Sequence, residues 1–179
     1  MITFVKGDIF ESPAQVLTNT VNCVGVMSKG IALSFKKRYP TMFADYKKKC
    51  LTGKVKIGQP YLWEDDKVQI LNFPTKDHWK NNSELSYIED GLKYLAENFS
   101  DMGICSLALA PLGCGNGGLD WAVVKPLIEK YLKDIPNLEV FAYVPANING
   151  LQKSPDNDKE IPKMTHHKFV SSPATAPIS

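Results

Sequence analysis

The chain of 179 residues is 44% hydrophobic with a net charge of +2, which suits one well-buried domain and is too short for two of ordinary size. No apolar run approaches the roughly 18 residues of a membrane span, and residues 1–6 lack a signal-peptide layout, so we expect a cytoplasmic protein without membrane contact. Its four cysteines fit neither a C-x-x-C metal pattern nor a secreted disulfide scaffold, which favours reduced thiols and neither metal nor cofactor.

The first third of the chain predicts two strands followed by a basic helical hairpin. Residues 2–5 form a short strand, and the apolar run 14–19 is a second strand that ends in polar residues. One helix begins after Gly30 and ends before Pro40, which begins the next. Nine lysines and arginines against one aspartate give residues 29–56 a charge of about +8. Such a segment is either a solvated helical face or a surface for a polyanion such as DNA or RNA.

The rest of the chain alternates strands with helices. Residues 61–63 and 68–73 predict two strands joined across an acidic turn. Apolar residues then recur at three- and four-residue steps, which predicts an amphipathic helix with Ser83 as its N-cap. A continuous apolar strand over 104–110 precedes a glycine-rich stretch, a helix and a last strand over 138–144.

Residues 1–150 therefore form one predicted domain, and the composition changes beyond them. Residues 151–179 are rich in proline and serine and show no helical or strand periodicity. We expect this segment to be a disordered tail or the start of a linker. A histidine pair inside it, His166–His167, has no further ligands nearby in the sequence and does not predict a metal site.

This order of elements predicts an α/β fold of three α/β/α layers around a mixed, largely parallel central sheet. Ligands of such sheets bind at the loops beyond the carboxyl ends of the strands. The polar segments 7–8, 19–22, 74–76 and 113–118 all fall there. The last is a glycine-rich loop between a strand and a helix, where backbone N–H groups can surround an anion. We therefore expect this loop to bind a nucleotide. The alternative is that it is only a tight turn between the strand and the helix.

A dinucleotide enzyme is a further alternative, because Gly113-x-Gly115-x-x-Gly118 matches the dinucleotide-binding fingerprint. That fingerprint needs an acidic residue about 20 positions later at the end of the next strand. Here that strand ends in Tyr143–Val144–Pro145 instead. The missing acid argues against this class, and the absence of a G-x-x-x-x-G-K-[ST] sequence argues against a P-loop nucleotidase.

Four segments resemble the ADP-ribose-binding motifs of macrodomains over about residues 1–146, namely 7–9, 19–22, 30–32 and 111–115. Within that family, residues 19–27, 72–79 and 117–121 resemble the macrodomains of DarG-type antitoxins. These remove ADP-ribose that DarT-type toxins attach to thymine in DNA. The resemblance implies a glycohydrolase acting on ADP-ribosylated single-stranded DNA, and we expect a monomer. It also implies a DarT-type partner toxin, contacted through a domain that this sequence lacks.

The resemblance implies roles for individual residues. Lys76 attacks the anomeric carbon of the distal ribose, and Asn22 acts beside it. Asp8 accepts a hydrogen bond from the adenine amino group, Ile9 lies beside the ring, and Asn19 holds the distal ribose. The residues implied to surround the rest of ADP-ribose are Cys23, Val24, Gly30, Ile31, Ala32, Pro111, Gly113, Cys114, Gly115, Asn116, Gly117, Gly118 and Leu119.

Each of these roles has a structural alternative. Asp8 could only cap a following turn, and the two asparagines could only hold loop backbone. His78, Trp79 and Lys80 are candidates for contact with the modified base, although Trp79 could equally belong to the core.

A nucleophilic Lys76 needs a lowered pKa, to which Lys80 and His78 are expected to contribute and which an ion pair with Asp77 would oppose. Two positions depart from the family pattern. Gly117 stands where some related hydrolases carry an aspartate, and Ser28 stands where a glycine is expected. The glycine at position 117 leaves the catalytic base unassigned, and it favours hydrolases that act on DNA over those that act on proteins. Two other functions remain open: hydrolysis of ADP-ribose esters on protein aspartate and glutamate, and binding of ADP-ribose without catalysis.

Overall fold

The computed structural model describes residues 1–146, so the expectations for the tail lie outside the described residues. None of the helices within this range has the length and apolar composition that crossing a bilayer requires. The strands are β1 (Ile2–Val5), β2 (Val16–Asn22), β3 (Tyr61–Glu64), β4 (Gln69–Lys76), β5 (Ser106–Leu109) and β6 (Glu139–Tyr143). The helices are α1 (Gly30–Arg38), α2 (Pro40–Leu51), α3 (Leu85–Asn98) and α4 (Trp121–Leu132).

The six strands form one sheet in the order β1-β6-β5-β2-β4-β3. Every neighbouring pair is parallel except β3 and β4. These two form the predicted hairpin, and Asp65 Oδ1 holds its turn by accepting the N–H groups of Lys67 and Val68 at 2.8 Å each. The predicted mixed, largely parallel sheet is therefore confirmed.

Alternate residues of the strands point into two separate cores, as the two-residue period of a strand requires. Leu107 and Leu109 belong to the core beneath α3 and α4. Their neighbours Ala108 and Ala110 belong to the core beneath α1 and α2. Helices thus cover both faces of the sheet, which confirms the predicted three-layer α/β/α architecture.

Several boundaries differ from the predicted ones. β2 runs on to Asn22 and β4 to Lys76, so polar residues expected in loops lie on strands that pair with each other. Glu84, and not Ser83, is the N-cap residue of α3. Ser83 is buried instead, with its N–H donating to the carbonyl of Gly117 at 2.9 Å. This bond fixes the segment before α3 against the glycine-rich loop.

Candidate active site at the carboxyl ends of the strands

A cleft of about 840 Å³ opens at the carboxyl ends of the parallel strands. The loop after β1, the ends of β2 and β4, the start of α1 and the glycine-rich loop after β5 all line it. The predicted convergence of these segments is therefore present in the structure. The sequence-predicted residues that line the cleft are Asp8, Ile9, Asn22, Gly30, Ile31, Ala32, Lys76, Trp79, Lys80, Pro111, Gly113, Cys114, Gly115, Asn116 and Gly117.

Asn19 does not line the cleft, although the sequence suggested a contact with the distal ribose. Its side chain is fully buried in the middle of β2. The Nδ2 group donates to Asn72 Oδ1 on the neighbouring β4 at 3.2 Å. Asn19 therefore joins two strands inside the domain, because β2 continues past the point where the sequence suggested a loop.

Cys23 and Val24 also lie outside the cleft. The N–H of Cys23 donates to the carbonyl of Asp77 at 3.3 Å, which holds the first part of this loop against the segment after β4. Burial raises the pKa of the Cys23 thiol to about 11, so it is protonated at neutral pH. Val24 is 44% exposed on the outer surface.

Three further residues with predicted contacts do not line the cleft. Leu119 packs against the α3 and α4 core and lies beneath Gly113, and Gly118 lies against Asn82. His78 stands behind Trp79, with ring centroids 5.5 Å apart, and its Nδ1 accepts the N–H of Lys80 at 3.1 Å. His78 therefore supports the residues at the rim of the cleft without lining it.

Asn22 lines the cleft but its side chain is largely engaged in shaping the loop after β2. Its Oδ1 accepts the N–H groups of Val24 at 3.0 Å and Val26 at 3.3 Å, while its Nδ2 donates to the carbonyl of Val26 at 2.7 Å. The buried hydroxyl of Tyr46 donates to the same region, 2.8 Å from Oδ1. Asn22 therefore holds this loop from a position in the cleft, and its part in catalysis stays a prediction.

Asp8 caps the turn that follows it and also lines the cleft, and its contact with adenine stays a prediction. One carboxylate oxygen caps a short 3-10 turn over Ile9–Glu11 by accepting the N–H of Phe10 at 2.9 Å. The residue also lines the cleft, and the second oxygen is available to accept from an amino group.

Lys76 lies at the last position of β4, and its Nζ donates to the carbonyl of Trp79 at 3.4 Å. Burial lowers the pKa of the Lys76 amine, and the positive charge of Lys29 lowers it further. The expected help from Lys80 and His78 is therefore replaced by Lys29, which approaches from the start of α1.

The neighbouring carboxylate does not oppose this effect. Asp77 Oδ1 accepts the N–H of His78 at 2.7 Å and the side-chain amide of Asn81 at 3.1 Å. Among residues 1–146, the ion pairs join Lys49 to Asp45 and Lys130 to Glu89, so Lys76 is free of a carboxylate partner there. A lysine acts as a nucleophile through its neutral amine, and a lowered pKa without a carboxylate partner makes that form more available.

The glycine-rich loop approaches the start of α1 across the cleft. Gly113 and Gly115 adopt φ values of +72° and +69°, a left-handed conformation that favours glycine. A Cβ added at Gly30 would lie 3.1 Å from Asn116 Nδ2. One added at Gly117 would lie 2.6 Å from the buried Ser83 Oγ, so a side chain at position 117 requires Ser83 to move.

The sequence of residues 18–128 matches the macro domain family. The chain is a macrodomain. A DNA ADP-ribosyl glycohydrolase of Mycobacterium bovis is 45% identical over 150 residues, which make up 82% of this chain and 43% of that protein. The macrodomain therefore spans less than half the length of the curated relative that it matches.

Two solved structures have the same fold. The macrodomain of Mycobacterium tuberculosis DarG superimposes with a TM-score of 0.79 at 44% identity, covering 82% of this chain and 99% of that one. Thermosipho africanus DarTG, solved in complex with ADP-ribose, gives a TM-score of 0.79 at 38% identity. That match covers 87% of this macrodomain and 43% of the other chain.

Several cleft residues of this macrodomain were missed from the sequence. Phe10 directly follows the Asp8–Ile9 motif, and the guanidinium of Arg38 lies 4.1 Å from its ring centroid. Other missed residues lie inside the predicted polar segments, within a few positions of a predicted site residue, or at the end of the last strand, and no role was assigned to them individually. They are Thr20, Val21, Val26, Ser34, Thr75, Asn81, Asn82, Ala110, Tyr143, Val144 and Ala146.

Proposed function

We propose that this macrodomain removes ADP-ribose from thymine bases of single-stranded DNA and so counteracts a DarT-type DNA ADP-ribosyltransferase. The observation that carries this proposal is the unpaired Lys76 amine, with its lowered pKa, at the end of β4 inside the cleft. The relatives named DNA ADP-ribosyl glycohydrolase support the same substrate at 43% to 45% identity. Action on DNA places the protein in the cytoplasm.

ADP-ribose fits the cleft in one direction. Asp8 and Ile9 lie at one end, where a carboxylate oxygen suits the exocyclic amine of adenine. The diphosphate then lies between the start of α1 and the glycine-rich loop, where helix N–H groups and glycine N–H groups favour an anion. This order leaves the distal ribose beside Asn22 and Lys76. A volume of about 840 Å³ is within the range of ligand pockets.

The proposed reaction proceeds in two displacements at the anomeric carbon of the distal ribose. The neutral amine of Lys76 attacks this carbon, and the bond to the thymine nitrogen breaks with its electron pair passing to thymine, which takes up a proton. Water then displaces the lysine from the same carbon, releasing ADP-ribose and restoring the amine. One water is consumed overall, and covalent catalysis divides one difficult step into two.

Trp79 is placed to hold the thymine. It lines the cleft three residues after Lys76, is 43% exposed, and has Lys80 Nζ 5.2 Å from its ring centroid. An exposed indole beside a cation suits an unstacked base joined to phosphates. This arrangement supports a nucleic-acid substrate over a protein side chain.

The proposal is tested by measuring release of ADP-ribose from two substrates, an oligonucleotide modified on thymine and a peptide modified on glutamate. We expect release from the oligonucleotide with multiple turnovers, and at least tenfold slower release from the peptide. Faster release from the peptide would show a protein-directed hydrolase instead. Binding of free ADP-ribose by calorimetry, with no turnover of either substrate, would show a non-catalytic binding module.

The charge of Lys29 is expected to set part of the pH dependence. The reactive form of Lys76 is the neutral amine, so kcat rises with pH until the pKa of Lys76 is passed. Lys29→Met removes a charge that lowers this pKa, so the rising limb of the pH profile moves to higher pH. Lys29→Arg keeps the charge and serves as the matched control. An identical pH profile for wild type and Lys29→Met would contradict the electrostatic coupling.

A further inference from the structure

A strip of surface leads from the mouth of the cleft to the C-terminal end of α2. We call it the α2 edge and define it by Trp79, Val24, Lys47, Leu51 and Lys56. It begins at Trp79, which lines the cleft where we place the modified base. The other four residues lie outside the cleft and have no part in holding ADP-ribose.

Contacts between three backbone segments make the α2 edge continuous. The bond from the Cys23 N–H to the Asp77 carbonyl joins the loop after β2 to the turn after β4. The same loop then packs on α2, because a Cβ added at Gly25 would lie 3.6 Å from Lys47 Cγ. The backbone of Ile57 lies near enough to the Cys23 thiol to affect its pKa, which brings the segment after α2 to the same surface.

The apolar members of the α2 edge are unusually exposed. Leu51 is 82% exposed, Val24 is 44% exposed and Trp79 is 43% exposed. These three belong to the few large hydrophobic side chains that residues 1–146 leave in solvent. Flat or apolar side chains on a basic surface can receive the faces of unstacked bases.

The lysines of the α2 edge are able to pair with an anionic partner. Lys47 and Lys56 are exposed, and neither belongs to the two ion pairs within the described range. The acidic group nearest the start of the strip, Asp77, is hydrogen-bonded to His78 and Asn81. Unpaired lysines spaced along an exposed path suit successive phosphates of one strand.

We infer that the α2 edge binds the nucleotides that flank the modified thymine, with lysines on phosphates and Val24 and Leu51 against bases. This inference rests on the proposed function, and it gives the DNA strand a path out of the cleft along α2. A single strand fits because alternating apolar and cationic groups require unstacked bases, which a duplex does not present.

The test uses fluorescence anisotropy with a labelled single-stranded thymidine oligonucleotide. We expect Lys47→Gln/Lys56→Gln to weaken binding about tenfold at low salt. We also expect the slope of log K against log salt to become shallower by about 1.4, since each phosphate contact on a single strand contributes about 0.7. Lys93→Gln/Lys133→Gln removes the same charge from exposed positions on α3 and just after α4, on the other face of the sheet. It is expected to leave the slope unchanged.

Hydrolysis separates this inference from the proposed function. On a long modified oligonucleotide the α2-edge variant is expected to raise KM several-fold more than on a modified thymidine nucleoside. If wild type and variant bind the oligonucleotide with the same affinity and salt slope, the inference is overturned, whatever the turnover. If the wild type turns over neither substrate while the variant still loses oligonucleotide affinity, the α2 edge stands and the proposed function falls.

Discussion

Lys76→Ala is expected to lower kcat for release of ADP-ribose from modified thymine by about 10³-fold, equivalent to about 4 kcal/mol of transition-state stabilisation. The reason is the loss of the amine that forms the bond to the anomeric carbon. Free ADP-ribose should still bind within a few-fold of the wild-type affinity, because the residues that we propose to contact adenine and the diphosphate lie elsewhere in the cleft. Single-turnover kinetics and calorimetry measure these two quantities separately.

Lys76→Arg is the matched control for charge. Arginine keeps the positive charge but stays protonated, so it cannot act as a nucleophile. If Lys76 only attracts phosphates or stabilises charge, Lys76→Arg retains most of the activity and Lys76→Ala does not. If Lys76 attacks the sugar, both variants are equally inactive. Full activity in Lys76→Ala would reject any chemical role for this side chain.

Borohydride provides an independent readout of the covalent step. A lysine bonded to the anomeric carbon can open the sugar ring to an imine, which borohydride reduces to a stable amine. Mass spectrometry of wild type treated during turnover is then expected to place an ADP-ribose adduct on Lys76. Lys76→Arg under the same conditions should show none, so the adduct cannot come from another lysine at the cleft, such as Lys80.

The layers of the fold and the position of the cleft follow from local patterns that a sequence displays. Apolar runs alternating with amphipathic helices determine the three layers, and polar residues after each strand mark the carboxyl edge of the sheet. These features depend on residues near one another in the chain. Asp8, Lys76 and the glycine-rich loop were placed in this way.

The parts that sequence reasoning missed depend on contacts between distant residues. The family resemblance implied a ribose contact for Asn19, and local sequence gave no sign that its side chain bonds Asn72, which lies 53 positions away on the paired strand. The charge that lowers the pKa of Lys76 comes from Lys29, which no local pattern connects to it. Strand pairing and the packing of α1 supply these neighbours, and only the folded structure specifies them.

Gly117 shows how such packing also limits chemistry. The sequence raised the question of why an aspartate found in some related hydrolases is absent here. The structure answers it through Ser83, whose Oγ is buried without a hydrogen-bond partner among residues 1–146 and fills the space beside Gly117. A side chain at position 117 must therefore displace the Ser83 side chain or shift one of the two segments that meet here. The loop that we place around the diphosphate is therefore held in position by a serine 34 residues earlier.

Gly117→Ala is accordingly expected to weaken ADP-ribose binding by about tenfold or more, because overpacking of this kind costs about 1–3 kcal/mol. Ser83→Gly removes the opposing Oγ and Cβ, which would lie 2.6 Å and 3.2 Å from the new methyl group. The double variant should therefore recover most of the lost affinity in calorimetry.

Ser83→Ala provides an intermediate step, because it removes Oγ and keeps Cβ. Affinity should rise from Gly117→Ala alone, through its combination with Ser83→Ala, to its combination with Ser83→Gly. Ser83→Gly alone should bind ADP-ribose nearly as the wild type does. If Gly117→Ala loses affinity and neither Ser83 substitution restores any of it, the loss does not arise from contact with Ser83. If Gly117→Ala binds ADP-ribose normally, the added methyl group fits beside Ser83. Lack of space would then not explain why position 117 lacks an aspartate.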